Sequence, residues 1–330
     1  MQLQCELTEN DSNYVNSGVF AIDNSEWTDF LQNSSSILSR RTKFKATPKV
    51  VADYVKLGYK FLSELEEMHA DYKWDGCRNL WILKPGCRSC GIGILLKHAM
   101  EDILRFTTNN KGSKYIAQKY IERPLLMYNA KFDIRQYMLL VFGKTLISIW
   151  FYKDCYLRIS SQVYDMNDLG EAIHLTNHTV AKRYRISALR DKRLPYNNMC
   201  TLETFKAYLK STNAPENVWE KKIFPAFKRS IIAVILASIE ETSLVENCFE
   251  LYGCDFMLDA NYDPVLIEIN STPDMSLSTV VTARLCPLVL NDLVRVIVDL
   301  PQNPKASTGN FELIFQIPYN TEANFDPNVG

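Results

Sequence analysis

The sequence lacks any long apolar run. Its longest, IIAVILAS at residues 231–238, is far shorter than the roughly 18 apolar residues that cross a bilayer. The opening residues, MQLQCELTEN, also lack the basic segment and the apolar core of a secretion signal. We therefore expect no membrane-spanning helix and no membrane partner, and we predict a cytoplasmic protein.

Histidine is scarce, and neither sign of charge is in marked excess. The chain has 4 histidines, which form no catalytic constellation in the sequence, and we expect His69 and His178 to be surface or packing residues. A net charge of -1, a pI near 6.5 and the lack of a recognisable reader module argue against a nucleic-acid partner. Nine cysteines at irregular spacing fit reduced thiols better than a disulfide framework.

The order of patterns along the chain predicts an α+β fold. Residues 1–46 are rich in Ser, Asn, Asp and Thr, which indicates a disordered segment. Thr47 and Pro48 resemble the N-cap and first turn of a helix in an N-terminal helical region, 47–79. Short β-rich runs dominate after residue 80, a polar stretch covers 160–200, and helical segments follow near 201–211, 219–242 and 284–299. Strands and helices do not alternate regularly, so α+β is favoured over a parallel α/β class.

The stretch WILKPGCRSCGIGILL at residues 81–96 allows three interpretations. It is a phosphate-binding loop built on Lys84 and glycines, a metal or redox site, or a loop without chemistry. A thiol site would use Cys77, Cys87, Cys90 and His98. Their spacing matches no usual zinc pattern, and the stretch also lacks the GK[ST] ending of a P-loop.

The segment YGCDFMLDANYDPVLIEIN predicts two antiparallel strands joined by a turn. With the turn centred between Asn261 and Tyr262, the apolar residues pair as Cys254 with Ile269, Phe256 with Ile267, and Leu258 with Val265. The same register places Asp255 opposite Glu268, near the amide of Asn270. Two facing carboxylates favour a cation between them, and such hard oxygens suit Mg²⁺. An exposed strand face with solvated acids is the alternative.

Two further segments carry clustered charge. Lys131, Asp133 and Arg135 alternate with Phe132 and Ile134, so all three charged residues project from one face of a strand. They form either an anion clamp or a surface ion-pair ladder. The sequence KRYRISALRDKR, residues 182–193, is strongly basic and suits an acidic partner, although a solvated surface explains it equally well.

The chain resembles a known family through motifs that occur in order between about residues 80 and 300. They are WILKP with the glycine loop, QKYIERP, KFDIRQY, WFYKDCYLRIS, HLTN, FELYGCDFMLD and LIEINSTP. This series is similar to the tubulin tyrosine ligase-like family, and MSLSTVVTARLC resembles its initiating glycylases. The resemblance implies an ATP-grasp fold, with a central lobe at 80–119 and a C-terminal catalytic lobe at 120–330.

Residue roles implied by this resemblance cover three functions, and the basic segment suggests a fourth. ATP binding is implied for Lys84, Gly91, Gly93, Gln118, Lys119, Tyr120, Ile121, Lys131, Asp133, Thr176 and Asn177. Magnesium binding is implied for Asp255, Glu268 and Asn270, and catalysis for Arg135, Arg158 and Glu268. We expect Lys182, Arg183 and Arg185 to bind an acidic tubulin tail.

The activity implied is ATP-dependent joining of free glycine to glutamate side chains of tubulin tails, by a monomer acting on microtubules of the cytoskeleton and of the cilium or flagellum axoneme. Many relatives carry SRGRGI where this chain has Cys90 and Ile92, so two cations are absent beside the phosphates. A tubulin-binding pseudoenzyme with a weakened ATP site is therefore one alternative. A tubulin polyglutamylase, with glutamate rather than glycine as the donor, is the other.

Overall fold

The structure, a computed structural model, describes Asp29, Asn33 and most of the chain from Thr47 onward. The described ranges are 47–69, 76, 78–86, 91–110, 112–239 and 246–318. The chain divides into two units, residues 1–73 and 74–330. Within the described ranges, no helix combines the length and the apolar character of a membrane span.

The first unit contains helix α1, Pro48–Met68. Thr47 is its N-cap, because the Thr47 hydroxyl accepts a hydrogen bond from the backbone N–H of Val50 at 3.5 Å, and Pro48 opens the first turn. This confirms the predicted helix start. The disorder predicted for residues 1–46 lies outside the described residues, apart from Asp29 and Asn33, which are helical.

The second unit begins with a small antiparallel sheet. Its strands are β1 (Trp81–Pro85), β2 (Leu95–Lys97) and β3 (Tyr115–Lys119), in the order β2-β1-β3. Helix α2, Met100–Asn109, connects β2 to β3. Strand β1 therefore lies centrally, with Lys84 near its carboxyl end.

A seven-stranded antiparallel sheet forms the body of the second unit. Four strands follow the order β6-β5-β8-β9, with β10 outside β6; β4 pairs with β5, and β7 with β6. Their bounds are β4 Leu126–Met127, β5 Ala130–Phe142, β6 Leu146–Ile159, β7 Met199–Thr201, β8 Cys248–Leu258, β9 Pro264–Asn270 and β10 Phe311–Pro318. The mixed architecture confirms the α+β class.

Helices cover both faces of this sheet. Helix α3 (Glu171–His174), α4 (His178–Ala181) and α5 (Leu202–Ser211) are followed by a π-helical turn, Trp219–Ile223, and α6, Phe224–Ser238. Helix α7 (Val280–Val294) continues through a second π-helical turn, Arg295–Asp299, into α8, Leu300–Gln302. Side chains of α5 and α6 pack with Phe132 and Ile134 of β5, whereas α7 packs with Tyr137 and Leu139.

Three sequence predictions need correction. The helix expected near 284–299 begins at Val280, because Thr279 forms a reciprocal capping box with Thr282. The helix expected at 219–242 opens as a π-helical turn, and its last residues lie outside the described ranges. The polar stretch 160–200 contains α3, α4 and the start of β7, elements too short to give a periodic signal.

Candidate active site

A cavity of about 440 Å³ opens where the glycine loop after β1, the α3–α4 segment and strands β5, β6, β8 and β9 meet. Eleven of the residues predicted to bind ATP or metal or to act in catalysis line it together: Lys84, Gly91, Lys131, Asp133, Arg135, Arg158, Thr176, Asn177, Asp255, Glu268 and Asn270. Gly93, the β3 residues Gln118 and Lys119, and the following Tyr120 and Ile121 lie outside its lining.

The β8–β9 hairpin supplies the acidic side of the cavity. Asp255 pairs with Glu268 and Cys254 with Ile269, as the alternation predicts. Beyond Asp255 the predicted register is wrong, because a bulge in β9 shifts the pairing by one residue. Phe256 therefore faces Leu266 rather than Ile267, and Leu258 faces Pro264 rather than Val265. The bulge places Ile267 beside Glu268 in the cavity lining, as an apolar neighbour of the acidic group.

Asn270 links the two facing carboxylates. Its amide nitrogen lies 3.4 Å from Asp255 Oδ2 and 3.4 Å from Glu268 Oε1, so a hydrogen-bond donor stands between oxygens that would otherwise repel each other. A divalent cation fits this set, because flipping the amide adds its oxygen to those of the carboxylates. Among the described residues no three His, Cys, Asp or Glu side chains gather as a metal site. This set differs because an amide is its third member.

Charged residues lie in a row across three neighbouring strands, β6, β5 and β8. Arg158 on β6 is paired with Asp133 on β5, and Arg135 on β5 with Asp255 on β8. Arg158 bonds both oxygens of Asp133 at 2.7 Å and also donates to Asp255 at 2.7 Å, while Arg135 donates to Asp255 at 2.5 Å. These side chains are buried, which rules out the surface-ladder and solvated-acid alternatives for them.

Burial and pairing act in opposite directions on Asp255. Removal from water raises its pKa, but Arg158 and then Arg135 outweigh that effect and hold the pKa of Asp255 at about 2. Gly253 permits this arrangement, since a Cβ there would lie 3.1 Å from Arg135 Nη1 and 2.9 Å from Pro273 Cβ. The arginines are thereby held side by side at the cavity wall, suited to an anion with several oxygens.

Lys131 supplies a third buried cation. Its Nζ donates to the carbonyl oxygen of His174 at 2.5 Å and lies 4.7 Å from the centre of the Tyr120 ring. Burial is the main reason that the pKa of Lys131 is lowered to about 8, a shift that Asp133 opposes and Lys84 increases. Lys131 therefore remains mostly protonated at neutral pH and can hold a phosphate. Tyr120 supports Lys131 instead of facing the cavity.

The glycine loop closes the opposite side. Gly91 and Gly93 have φ values of +77° and +79°, a region that glycine adopts without strain. A Cβ on Gly91 would lie 2.8 Å from Asn177 Oδ1 and 2.9 Å from Val180 Cγ2, so the loop packs closely on the HLTN segment. Cys87, Arg88 and Cys90 lie outside the described residues, as does Cys77.

The basic segment is only partly a surface. Lys182, Arg183 and Arg185 are exposed and lie outside the cavity lining, and Arg183 pairs with Glu171 at 3.2 Å. Arg190, by contrast, is buried and donates to Asn198 Oδ1 at 2.7 Å. Arg190 therefore has a structural contact, whereas Lys182, Arg183 and Arg185, like Lys192 and Arg193 of the same segment, are exposed.

The cavity also includes residues that the sequence patterns missed. Tyr156, His178, Met199, Asp274 and Thr282 line it. His178 was expected to be a surface or packing residue. Sequence signals could have indicated only two of these residues. His178 directly follows HLTN, and Asp274 lies shortly after the predicted ligand Asn270.

Much of this chain is similar in sequence to known proteins. A model of the tubulin-tyrosine ligase family matches residues 16–306. The chain is 55% identical over 297 residues to tubulin glycylase 3B of Drosophila melanogaster, covering 90% of this chain and 39% of that protein. Identity is 35% over 297 residues to mouse tubulin monoglycylase TTLL3, covering 89% and 31%, and 35% over 317 residues to mouse protein monoglycylase TTLL8, covering 95% and 37%.

The chain therefore belongs to the tubulin-tyrosine ligase family. It spans between 31% and 39% of the length of these three curated relatives.

Proposed function

We propose that the protein is an ATP-dependent ligase that joins glycine to glutamate side chains in the acidic tails of tubulin. The observation that carries this proposal is one cavity lined both by three buried cations, Lys131, Arg135 and Arg158, and by the acidic Asp255–Glu268 pair. Its relatives are named tubulin glycylase and monoglycylase, which favours glycine as the added amino acid and tubulin as the partner.

A carboxylate reacts poorly with an amine, so the ligase must first activate it. On this proposal the γ-phosphoryl group of ATP passes to the glutamate carboxylate, and the glycine amine then displaces phosphate from the resulting acylphosphate. Lys84, Lys131 and the Gly91 loop hold the nucleotide phosphates, while Asp133 and Thr176 keep Arg158 in place. Arg135 and Arg158 stabilise the negative charge that develops in both steps.

Asp255, Glu268 and Asn270 are proposed to hold Mg²⁺. When bound, the metal neutralises phosphate charge during phosphoryl transfer. Lys84 reaches the same acidic group, because its Nζ lies 3.3 Å from Glu268 Oε2. Glu268 thus joins the glycine-loop side of the cavity to the hairpin that carries the metal ligands. Adenine is proposed to lie against the Gln118–Ile121 segment between the two lobes.

The exposed cations Lys182, Arg183 and Arg185 are proposed to attract the Glu-rich tail. Their contribution is electrostatic steering, so high salt should weaken it. Microtubules of the cytoskeleton, including those of the cilium axoneme, are the place of action that this substrate implies. We propose that a monomer carries out the reaction, because one chain supplies all the cavity residues named above.

Incubation with tubulin, ATP and glycine should add glycine to glutamates of the tubulin tails, detected by mass spectrometry of tail peptides. Tubulin whose tails have been removed by subtilisin is the matched control and should gain nothing. Incorporation of radiolabelled glutamate in place of glycine would establish the polyglutamylase alternative. Binding of tubulin without binding of ATP would establish the pseudoenzyme.

The Gly91→Ala substitution should weaken ATP binding by roughly tenfold or more, because it adds left-handed backbone strain and a contact with Asn177. Isothermal titration calorimetry measures the change. Gly112→Ala is the matched control, since a Cβ there meets nothing within 4 Å.

If the same loop were a thiol site, its function would depend on the cysteines rather than on the glycines. Serine at both Cys87 and Cys90 should leave ATP binding intact, because backbone N–H groups rather than thiols are proposed to contact phosphate. Stoichiometric zinc in the purified protein, or loss of ATP binding only in the serine variant, would support the metal or redox interpretation.

A further inference from the structure

Amide formation needs a base, because free glycine carries an ammonium group that cannot attack a carbonyl carbon. Most titratable side chains of the cavity are already engaged. Asp133 and Asp255 bond arginines, and Glu268 pairs with Lys84. His174 uses both ring nitrogens, one with Tyr120 at 2.8 Å and the other with the carbonyl oxygen of Asp168 at 2.8 Å. Each of these side chains therefore already has a bonded partner.

His178 differs from all of them. It lines the cavity at the start of α4, and within the described part of the chain neither of its ring nitrogens has a hydrogen-bonding partner. Three charged groups face it: Lys182 beyond its own helix, Arg158 from β6, and Asp274 from the loop after β9. Burial lowers the pKa of His178, Lys182 and Arg158 add to that effect, and Asp274 opposes it. The ring is therefore neutral at pH 7 and able to accept a proton.

Asp274 is suited to a supporting role. It lines the same cavity, and hydrogen bonds from Ser276 lower its pKa, so it stays ionised at neutral pH. A permanent negative charge beside His178 stabilises the imidazolium that forms when the ring takes up a proton. The pair combines a neutral base with a fixed counter-ion, and neither group belongs to the proposed phosphate or metal sites.

We propose that His178 is the catalytic base that removes a proton from the glycine ammonium, with Asp274 stabilising the resulting imidazolium. This assignment rests on the proposed ligase function. The free amine then attacks the acylphosphate carbonyl carbon, a C–N bond forms, and the C–O bond to phosphate breaks with its electron pair on phosphate. The second proton on nitrogen leaves with the phosphate.

The test uses the full chain with ATP and a Glu-rich tail peptide, and it compares glycine with hydroxylamine. Hydroxylamine is largely unprotonated at neutral pH, so it traps an acylphosphate without a base. His178→Gln should lower glycine transfer by about 10²–10⁴-fold while leaving hydroxamate formation within about twofold of wild type. His98→Gln, at an exposed histidine outside the cavity, is the matched control and should change neither rate.

The pH profile gives a second, independent readout. In wild type, the rate with glycine should rise with pH through the lowered pKa of His178 and then level off, whereas the His178→Gln rate should continue to rise toward the pKa of glycine itself. In Asp274→Asn, the rise of the glycine rate should occur at lower pH than in wild type, because the substitution removes the negative charge that favours the imidazolium.

Two results would overturn the assignment of His178. An unchanged pH profile in His178→Gln would do so, as would equal loss of the glycine and hydroxylamine reactions, which indicates a role in the first step or in folding. Wild-type hydroxamate formation without glycine transfer would show that activation occurs but that glycine is not the donor. Absence of both products in wild type would remove the ligase proposal itself, and the base with it.

Discussion

The Glu268→Gln variant should lose ligase activity by roughly a hundredfold or more while keeping its fold. The substitution preserves shape and removes the charge that faces Asp255 across β8 and β9. It also removes the ionic partner of Lys84, whose Nζ lies 3.3 Å from Glu268 Oε2. The proposed magnesium therefore has one fewer anionic ligand. In addition, Lys84 has lost its ionic partner and can compete with the metal for Asp255.

Glu268→Gln should lose activity without losing stability. The Glu268 side chain is 37% exposed, so the loss of its ion pair with Lys84 has little effect on folding, and reduced repulsion with Asp255 offsets part of that loss. Urea unfolding should match wild type within about 0.5 kcal/mol. Glu250→Gln, at an exposed position of β8, is the control and should turn over normally. Near-normal activity of Glu268→Gln would contradict its assignment as a metal ligand.

Activity at a raised Mg²⁺ concentration tests the role of Glu268 more directly. If Glu268 binds the metal, excess Mg²⁺ should recover part of the lost activity, because a weakened site is filled by mass action. If Glu268 only positions Lys84, added metal should have no effect, and the ATP affinity of the variant should fall instead. Initial rates over a magnesium titration, together with calorimetric ATP binding, distinguish these two roles.

Local patterns could predict the acidic hairpin because its two strands are joined by one short turn. Apolar alternation on both strands permits few registers, and the pairing of Asp255 with Glu268 follows from the most apolar one. The bulge between Asp255 and the turn could not be predicted in this way. It places Leu266 opposite Phe256, where both pack into the core with α6, and that packing depends on a helix distant in sequence.

The buried charge network shows which contacts cannot be predicted from the alternation of residues along a strand. Alternation predicts that Asp133 and Arg135 share a face of β5, but not which strands flank it. Arg135 meets Asp255 across 120 residues of sequence, and Arg158 meets Asp255 across 97. The resemblance of the motifs assigned roles to these residues, but only the strand order β6-β5-β8-β9 explains why they touch.

Replacing Arg158 by methionine should destabilise the fold by about 3–5 kcal/mol, the usual effect of breaking a buried ion pair from one side. Arg158 is the residue that bonds both oxygens of Asp133, and it also donates to Asp255. Methionine fills much of the volume but leaves Asp133 buried with Thr176 as its remaining side-chain hydrogen-bond donor in the described structure. Asp255 retains Arg135. Urea denaturation at neutral pH measures the loss.

Two controls isolate the buried charge as the cause. Arg183→Met breaks an exposed pair with Glu171 and should cost at most about 1 kcal/mol. Adding Asp133→Asn to Arg158→Met removes the unpaired charge and should restore at least about 1 kcal/mol of the free energy of unfolding. A double-mutant cycle quantifies this coupling. If Arg158→Met proves no more harmful than Arg183→Met, the network does not stabilise the fold.

The pH dependence should distinguish wild type from Arg158→Met. In wild type the pKa of Asp255 is held at about 2, below its unfolded value of about 3.9, so its stabilising contribution is present above the unfolded value and is lost as pH falls through the folded one. In Arg158→Met, Asp255 loses the larger of the two cationic partners that lower its pKa, so this contribution is smaller. The stability gap between the two proteins should therefore narrow as pH falls from about 4 to about 2. A gap independent of pH would show that lost packing, rather than an unpaired carboxylate, causes the destabilisation.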